Sequence, residues 1–253
     1  MKDAQGREIK YLRVSVTDRC NLRCKYCMPN GIECVEHKDI LSFEEIRQIA
    51  VCGARLGITK IRLTGGEPLA RKGCPELIHM LKEIPGIEKI AMTTNGTLVR
   101  AILPELVEAG LDEINISLDT LDPGRFAAIT GQDLLPEVLL AIDAALAAGL
   151  KVKVNAVSMP DTDWKRLITL AKDKPVDVRF IELMPIGAGK QSKGRSNKEL
   201  LEEIRSEFPQ LQADGSVHGA GPAVYYRIPG YQGSIGLISA MHGKFCSSAT
   251  GYD

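Results

Sequence analysis

Between residue 11 and about residue 185, short β-branched runs alternate with helical segments at intervals of roughly 30 residues, an order that leaves few folds open. The expected strands are Leu12–Thr17, Lys60–Thr64, Lys89–Thr94, Glu113–Leu118, Lys151–Val157 and Asp177–Leu183. Helical stretches fall near 43–57, 75–84, 100–110, 134–149 and 162–172. Ser42 with Glu45 three residues on is a capping-box pattern for the first of them. Gly57, Gly110 and Gly149 stand where a left-handed residue closes a helix. Strand followed by helix, repeated, builds a parallel sheet. Six such units are too few to close an eight-stranded barrel, so the expected fold is α/β, an open, partial (β/α)6 TIM-like barrel with its site at the C-terminal ends of the strands.

Beyond residue 185 the composition shifts. Gly187–Gly194 reads as a flexible linker, a helix follows near 196–207, and a hairpin of Val224–Ile228 and Ser234–Ser239 turns around Pro229-Gly230. The expected division is therefore 1–185 for the barrel and 186–253 for linker, helix, hairpin and a short C-terminal extension.

Period-2 alternation splits each strand into an apolar face toward the helices and a second face toward the lumen. The second face is polar. Arg13, Arg62, Lys153 and Arg179 fall on it from four different strands, where a closed TIM barrel would carry branched apolar side chains. Buried cations need anions, since one left unpaired costs several kcal/mol, and few carboxylates share those faces. A polyphosphate or similarly charged substrate in the lumen is the expected answer. The competing reading sends one or two of these side chains to the rim, or pairs them with Glu67, Asp119 or Glu182.

Charge and composition exclude several classes. Lysine plus arginine equals aspartate plus glutamate at 32 each, so no global field points to nucleic acid or to an anionic membrane. No stretch of about 18 apolar residues marks a membrane span, and no signal peptide is evident, so a cytoplasmic protein is expected. Seven cysteines without a disulfide-like framework fit a reducing compartment. Cys34, Cys52 and Cys74 have no partner at ligand spacing, but Cys20, Cys24 and Cys27 form a C-x-x-x-C-x-x-C triplet. Three thiolates leave the fourth iron of a [4Fe-4S] cluster open to a small molecule. A structural zinc site is the alternative, although zinc knots usually pair two C-x-x-C hooks or add histidines.

The triplet, with Tyr26 just before its last cysteine, resembles the radical S-adenosylmethionine (SAM) enzymes. Taken with Ile61-Arg-Leu-Thr-Gly-Gly-Glu-Pro-Leu69, Thr93-Thr-Asn-Gly96, Asn115-Ile-Ser-Leu-Asp119 and Arg179-Phe-Ile-Glu-Leu-Met184, it resembles the GTP 3',8-cyclase family, which opens molybdenum cofactor biosynthesis. The likeness runs to about Ser248. It implies a [4Fe-4S] cluster on Cys20, Cys24 and Cys27 that chelates SAM. It places Tyr26, Gly66, Thr93, Ser117 and Met184 around SAM, and gives Arg13, Arg62, Lys153 and Arg179 the GTP triphosphate. In that family a radical derived from SAM removes the ribose 3'-hydrogen and the resulting carbon radical adds to guanine C8. The implied partners are GTP and a reductant of unstated identity, and a homodimer is left open.

The resemblance also implies a second [4Fe-4S] cluster near the C-terminus. Cys246 begins its motif, but Ala249 stands where the next cysteine belongs, which leaves the extension incomplete. A family-like TGC AAC CGG ATA CGA CTG A, less its first base, encodes Ala-Thr-Gly-Tyr-Asp and a stop, the residues at 249–253. The expectations are a single-base deletion, a missing second cluster and impaired turnover. The alternatives are a genuine short paralogue that binds SAM or GTP without turnover, and a radical SAM enzyme acting on a peptide or another small molecule.

Overall fold

Helix ends in this chain are set locally. Ser42 accepts from the Glu45 N–H while Glu45 reaches back to the Ser42 N–H at 2.7 Å, so the capping box expected for α1 (Phe43–Arg55) is formed. Ser196 and Glu199 repeat the device at α7 (Asn197–Glu207), and Asp163 caps α6 (Trp164–Asp173). Gly57, Gly110 and Gly149 all have positive φ, as their positions after α1, α3 (Val99–Glu108) and α5 (Leu135–Ala147) require. The computed structural model describes residues 8–31, 35–185, 187–219, 221–241 and 251–252.

The strands are β1 (Tyr11–Ser15), β2 (Lys60–Thr64), β3 (Lys89–Thr94), β4 (Glu113–Ser117), β5 (Lys151–Ser158) and β6 (Asp177–Glu182), each within two residues of expectation. They pair in parallel and in sequence order. The C-terminal hairpin, β8 (Val224–Arg227) and β9 (Ser234–Ile238), continues the same sheet: β9 lies parallel to β6, and β8 returns antiparallel to it. β7 (Gln212–Asp214) forms one edge, and β10 (Gly251–Tyr252) lies parallel to β1 at the other. The sheet therefore curves without closing.

Ile61, Leu63, Ile90, Met92, Ile114, Ile116, Val152, Val154, Val178 and Phe180 are buried on its outer face. α2 (Cys74–Lys82), α3, α5 and α6 cover them with Leu77, Leu106, Ile142, Leu167 and their neighbours, in one continuous core. Three short elements escape the periodicity, β7, β10 and α4 (Pro123–Thr130). The signal for α4 was present, since Asp122 caps it and Pro123 occupies its first turn.

The expected flexible linker is corrected. Gly187–Gln191 is a 3-10 helix, and the Arg195 N–H donates to the Ser158 carbonyl at 3.0 Å, so the segment is pinned to the end of β5. Glycine here permits a tight path, not slack.

Candidate active site

The end of β2 and the end of β1 touch through bare backbone. The Gly66 N–H donates to the Thr17 carbonyl at 2.8 Å, and the Glu67 N–H to the Arg19 carbonyl at 2.7 Å. Gly65 has φ +150, and a Cβ at Gly66 would lie 2.6 Å from the Asp18 carbonyl oxygen, so only glycine fits. That contact fixes where the next residue, Cys20, begins its loop.

Cys20, Cys24 and Cys27 share this loop. It is stitched to the last turn of α4 by Arg23 N–H to the Thr130 carbonyl at 2.8 Å and Lys25 N–H to the Ile129 carbonyl at 3.0 Å. The Asn95 amide approaches Cys20 Sγ at 3.9 Å and bonds Asn21 at 2.8 Å. Burial, the charge of Asp119 and the neighbouring cysteines push the Cys24 thiol up to about 12; burial and then Cys20 raise Cys27. Among the described residues no three His, Cys, Asp or Glu side chains already converge to grip a single ion. The donor set still fits a cluster, because three thiols close enough to repel one another as thiolates gain most from iron that takes their protons' place.

Of the residues that the resemblance assigns to SAM, Tyr26 is in this loop, Gly66 contacts its start, and Ser117 shares a cavity with Cys24. The Tyr26 hydroxyl donates to Asp119 Oδ2 at 2.6 Å, and Asp119 Oδ1 accepts from the Val157 N–H at 2.7 Å, which ties the cysteine loop to the ends of β4 and β5. Burial raises the Asp119 carboxyl despite those two bonds. Ser117 lines a small cavity with Leu22, Cys24, Asp119 and Phe126. Thr93 is half-buried and takes a long 3.4 Å contact from the Asn115 amide, while Met184 is exposed just past β6. Asp119→Ala should cost about 2 kcal/mol of stability, since the Tyr26 hydroxyl and the Val157 N–H both lose their acceptor. Chemical denaturation would measure it.

Below this rim the lumen is cationic. Lys153 is 2% exposed and Arg179 5% exposed; Arg62 is half-buried, and Arg13 is exposed beside it in register. The expectation of four interior cations is thus corrected at Arg13, which is on the edgeward strand. Arg179 Nε donates to Asn155 Oδ1 at 2.8 Å. Burial, with the charge of Arg179, pushes Lys153 down to about 7, and burial also lowers Arg62. Arg62 Nε and Asn115 Oδ1 are buried without a hydrogen-bond partner among the described residues.

The three carboxylates considered as alternative partners are committed elsewhere. Glu67 accepts from Thr94 Oγ1 at 2.8 Å and from the N–H groups of Asn95 and Leu69. Asp119 serves Tyr26, and Glu182 accepts from the N–H groups of Asn197 and Met241, each at 2.8 Å. Two carboxylates on the lumenal face were missed. Glu113 pairs with Lys60 at 2.7 Å, and Asp177 faces His218 at 3.1 Å. Lys60 and Glu113 are each two residues before a lumenal position, so the same alternation could have found them; no periodicity marks His218. Cys246 lies outside the described residues.

The model of the Radical SAM superfamily matches residues 14–173, and that of Molybdenum Cofactor Synthesis C matches residues 176–250. A GTP 3',8-cyclase of Clostridium perfringens (strain 13 / Type A) is 48% identical over 250 residues, covering 97% of this chain and 77% of its own length. The chain belongs to the GTP 3',8-cyclase family. The family relative from Alkaliphilus oremlandii is 45% identical over 254 residues, 97% of this chain and 78% of its own. Membership makes the chain a radical SAM enzyme and implies one [4Fe-4S] cluster and SAM. The fold agrees with Streptococcus suis SuiB bound to S-adenosylmethionine (TM-score 0.67, 18% identity, 80% of this chain and 48% of that one). It also agrees with methylornithine synthase (TM-score 0.63, 20% identity, 81% and 64%). No helix among the described residues of this family member is long and apolar enough to cross a membrane.

Proposed function

We propose that this chain converts GTP to (8S)-3',8-cyclo-7,8-dihydroguanosine 5'-triphosphate in the cytoplasm, with Cys20, Cys24 and Cys27 holding its cluster. A reduced cluster held by these cysteines would, together with SAM, supply the radical that starts the reaction. The protein's own residues do the rest. Tyr26, Gly66, Thr93, Ser117 and Met184 border the SAM position, and Gly65-Gly66 lets the 17–19 backbone pack directly on the end of β2, where a side chain would clash. Arg62, Lys153 and Arg179, with Arg13 at the edge, hold the triphosphate. Such anchoring fixes the ribose relative to the cluster loop, and misplacement there by about 1 Å can cost on the order of a hundredfold in rate.

One observation carries the assignment of the triphosphate: the buried cations beneath the cysteine loop are not neutralised by the carboxylates nearest the rim. Buried Arg62 Nε has no hydrogen-bond partner among the described residues, and Lys153 is pushed down to about 7 by burial and a neighbouring cation despite Glu113 and Asp177 nearby. A polyanion answers both. Calorimetric titration tests it. Lys153→Ala or Arg179→Ala should weaken GTP binding by roughly 1.5 to 3 kcal/mol, the scale of a charge-assisted hydrogen bond. Guanosine binding as tightly as GTP would contradict the reading and favour a substrate without phosphates.

A further inference from the structure

The N-terminal end of the lumen is closed by a built turn. Asp214 ends β7, and Ser216, His218 and Gly219 follow it and reach under the start of β6. His218 is 8% exposed, its Nδ1 3.1 Å from Asp177 Oδ2 and its Nε2 3.0 Å from Asp214 Oδ2. The ring stacks on Tyr225 with centroids 3.9 Å apart and planes 13° apart. Asp214 is held in turn by Arg227 Nε at 2.7 Å and Ser216 Oγ at 2.6 Å, and Asp177 by Ser234 Oγ at 2.7 Å. Clamped on both sides, the histidine presents its backbone carbonyl upward, where it accepts from the Lys153 ammonium.

Gly219 completes the closure. A Cβ there would stand 3.0 Å from Lys153 Nζ and 3.9 Å from Lys60 Nζ, so the main chain passes directly beneath both ammonium groups. Its φ of +133 is one that side-chain-bearing residues rarely adopt. At this level carboxylates join the cations: Asp177 (9% exposed) is in register with Lys153, Glu113 (2% exposed) pairs with Lys60 at 2.7 Å, and the His218 carbonyl accepts from Lys153. Arg62 and Arg179 stand two residues further along their strands than Lys60 and Asp177.

Direction follows from the strands. The cysteine loop and Gly65-Gly66 are at C-terminal strand ends, and Lys60 lies four residues below Thr64, about 13 Å along the strand at the usual rise. A nucleotide whose ribose faces the cluster loop therefore points its terminal phosphate at the floor.

We propose that the turn from Asp214 to Gly219, centred on His218, is the floor of the polyphosphate subsite and limits the tail to three phosphates. This rests on the triphosphate reading above. A fourth phosphate would have to displace the His218–Gly219 main chain and meet the His218 carbonyl, with Glu113 and Asp177 already paired to Lys60 and His218, a built obstacle of the kind that sets specificity. Lys153, with three donors, can serve the floor with one and the terminal phosphate with the others.

Isothermal titration of the reconstituted chain with GTP, guanosine and guanosine 5'-tetraphosphate tests the proposal. GTP should bind more tightly than the tetraphosphate by on the order of tenfold or more, the scale of giving up a hydrogen bond or two that hold the turn. His218→Ala should narrow that gap to about threefold or less by admitting the longer tail, with iron content and SAM binding as in the unaltered chain. Equal affinity of the unaltered chain for GTP and the tetraphosphate would overturn the floor, while a preference of GTP over guanosine would leave the triphosphate reading standing. GTP no tighter than guanosine would sink that reading itself. Should His218→Ala fail to load iron, Asp214→Asn loosens the same clamp, and undiminished discrimination in it would also overturn the proposal.

Discussion

GTP affinity is expected to fall as pH rises above about 7, by close to tenfold per unit, with uptake of up to one proton on binding. The cause is Lys153. In the free protein, burial and the charge of Arg179 hold its ammonium down at about 7. A polyphosphate against the ammonium favours its charged form and returns its pKa toward the ordinary lysine range. Below pH 7 Lys153 is charged with or without ligand, and its contribution to affinity is flat. Above pH 7 the free protein has lost that proton and must regain it to bind, so affinity declines with rising pH until the pKa of the complex is passed. The terminal phosphate of GTP does not obscure this window, since a phosphate's second ionisation, near 6, is complete before it opens. Titration in two buffers of different ionisation enthalpy gives the proton count. Lys153→Arg, which stays charged throughout, should bind with a flat profile from pH 7 to 9, and an unaltered chain equally flat would sink the explanation. The shift also bears on stability. A lysine whose pKa is lower folded than unfolded binds fewer protons in the native state between about 7 and its ordinary value, so Lys153 makes the ligand-free protein more stable as pH rises through that interval.

The barrel strands and the charge of the lumen were legible because both rest on local rules. Alternation in Lys60–Thr64 and Glu113–Ser117 fixed which residues face inward, and Gly57, Gly110 and Gly149 closed their helices where left-handed residues were needed. Residues joined only by tertiary contact were not legible. The bond from Lys153 to the His218 carbonyl spans 65 positions in the chain, and nothing in the run around His218 announces it. Sequence could name Glu67 and Asp119 as candidate partners for the cations, but only the folded chain shows Glu67 spanning to Thr94 and Asn95, and Asp119 holding Tyr26. Carboxylates are assigned by geometry that periodicity does not carry. Arg13 shows the same limit from the other side. Its alternation is that of Arg62, yet Arg13 is exposed on β1, one strand in from the edge formed by β10.

Gly66→Ala is expected to break the active site. The added Cβ would lie 2.6 Å from the Asp18 carbonyl oxygen and from the Arg19 carbonyl carbon, and both are main chain that cannot swing aside as a flexible side chain can. Relief requires the 17–19 segment to move off β2, which gives up the Gly66 to Thr17 and Glu67 to Arg19 hydrogen bonds, each worth about 1 kcal/mol. Cys20 is the next residue, so the displacement passes straight into the cluster loop. Iron content after anaerobic reconstitution should drop toward that of Cys24→Ala, and any remaining reductive cleavage of SAM should slow by on the order of a hundredfold. Gly149→Ala is the control. Its φ is +79, so an alanine there is strained by about 1 to 2 kcal/mol, but a Cβ meets nothing within 4 Å and the position closes a helix away from the cysteines. That variant should lose stability and keep its iron. A Gly66→Ala protein that loads iron and cleaves SAM as the unaltered chain does would show that the loop is not held by this backbone contact, and the placement of Cys20 would need another cause.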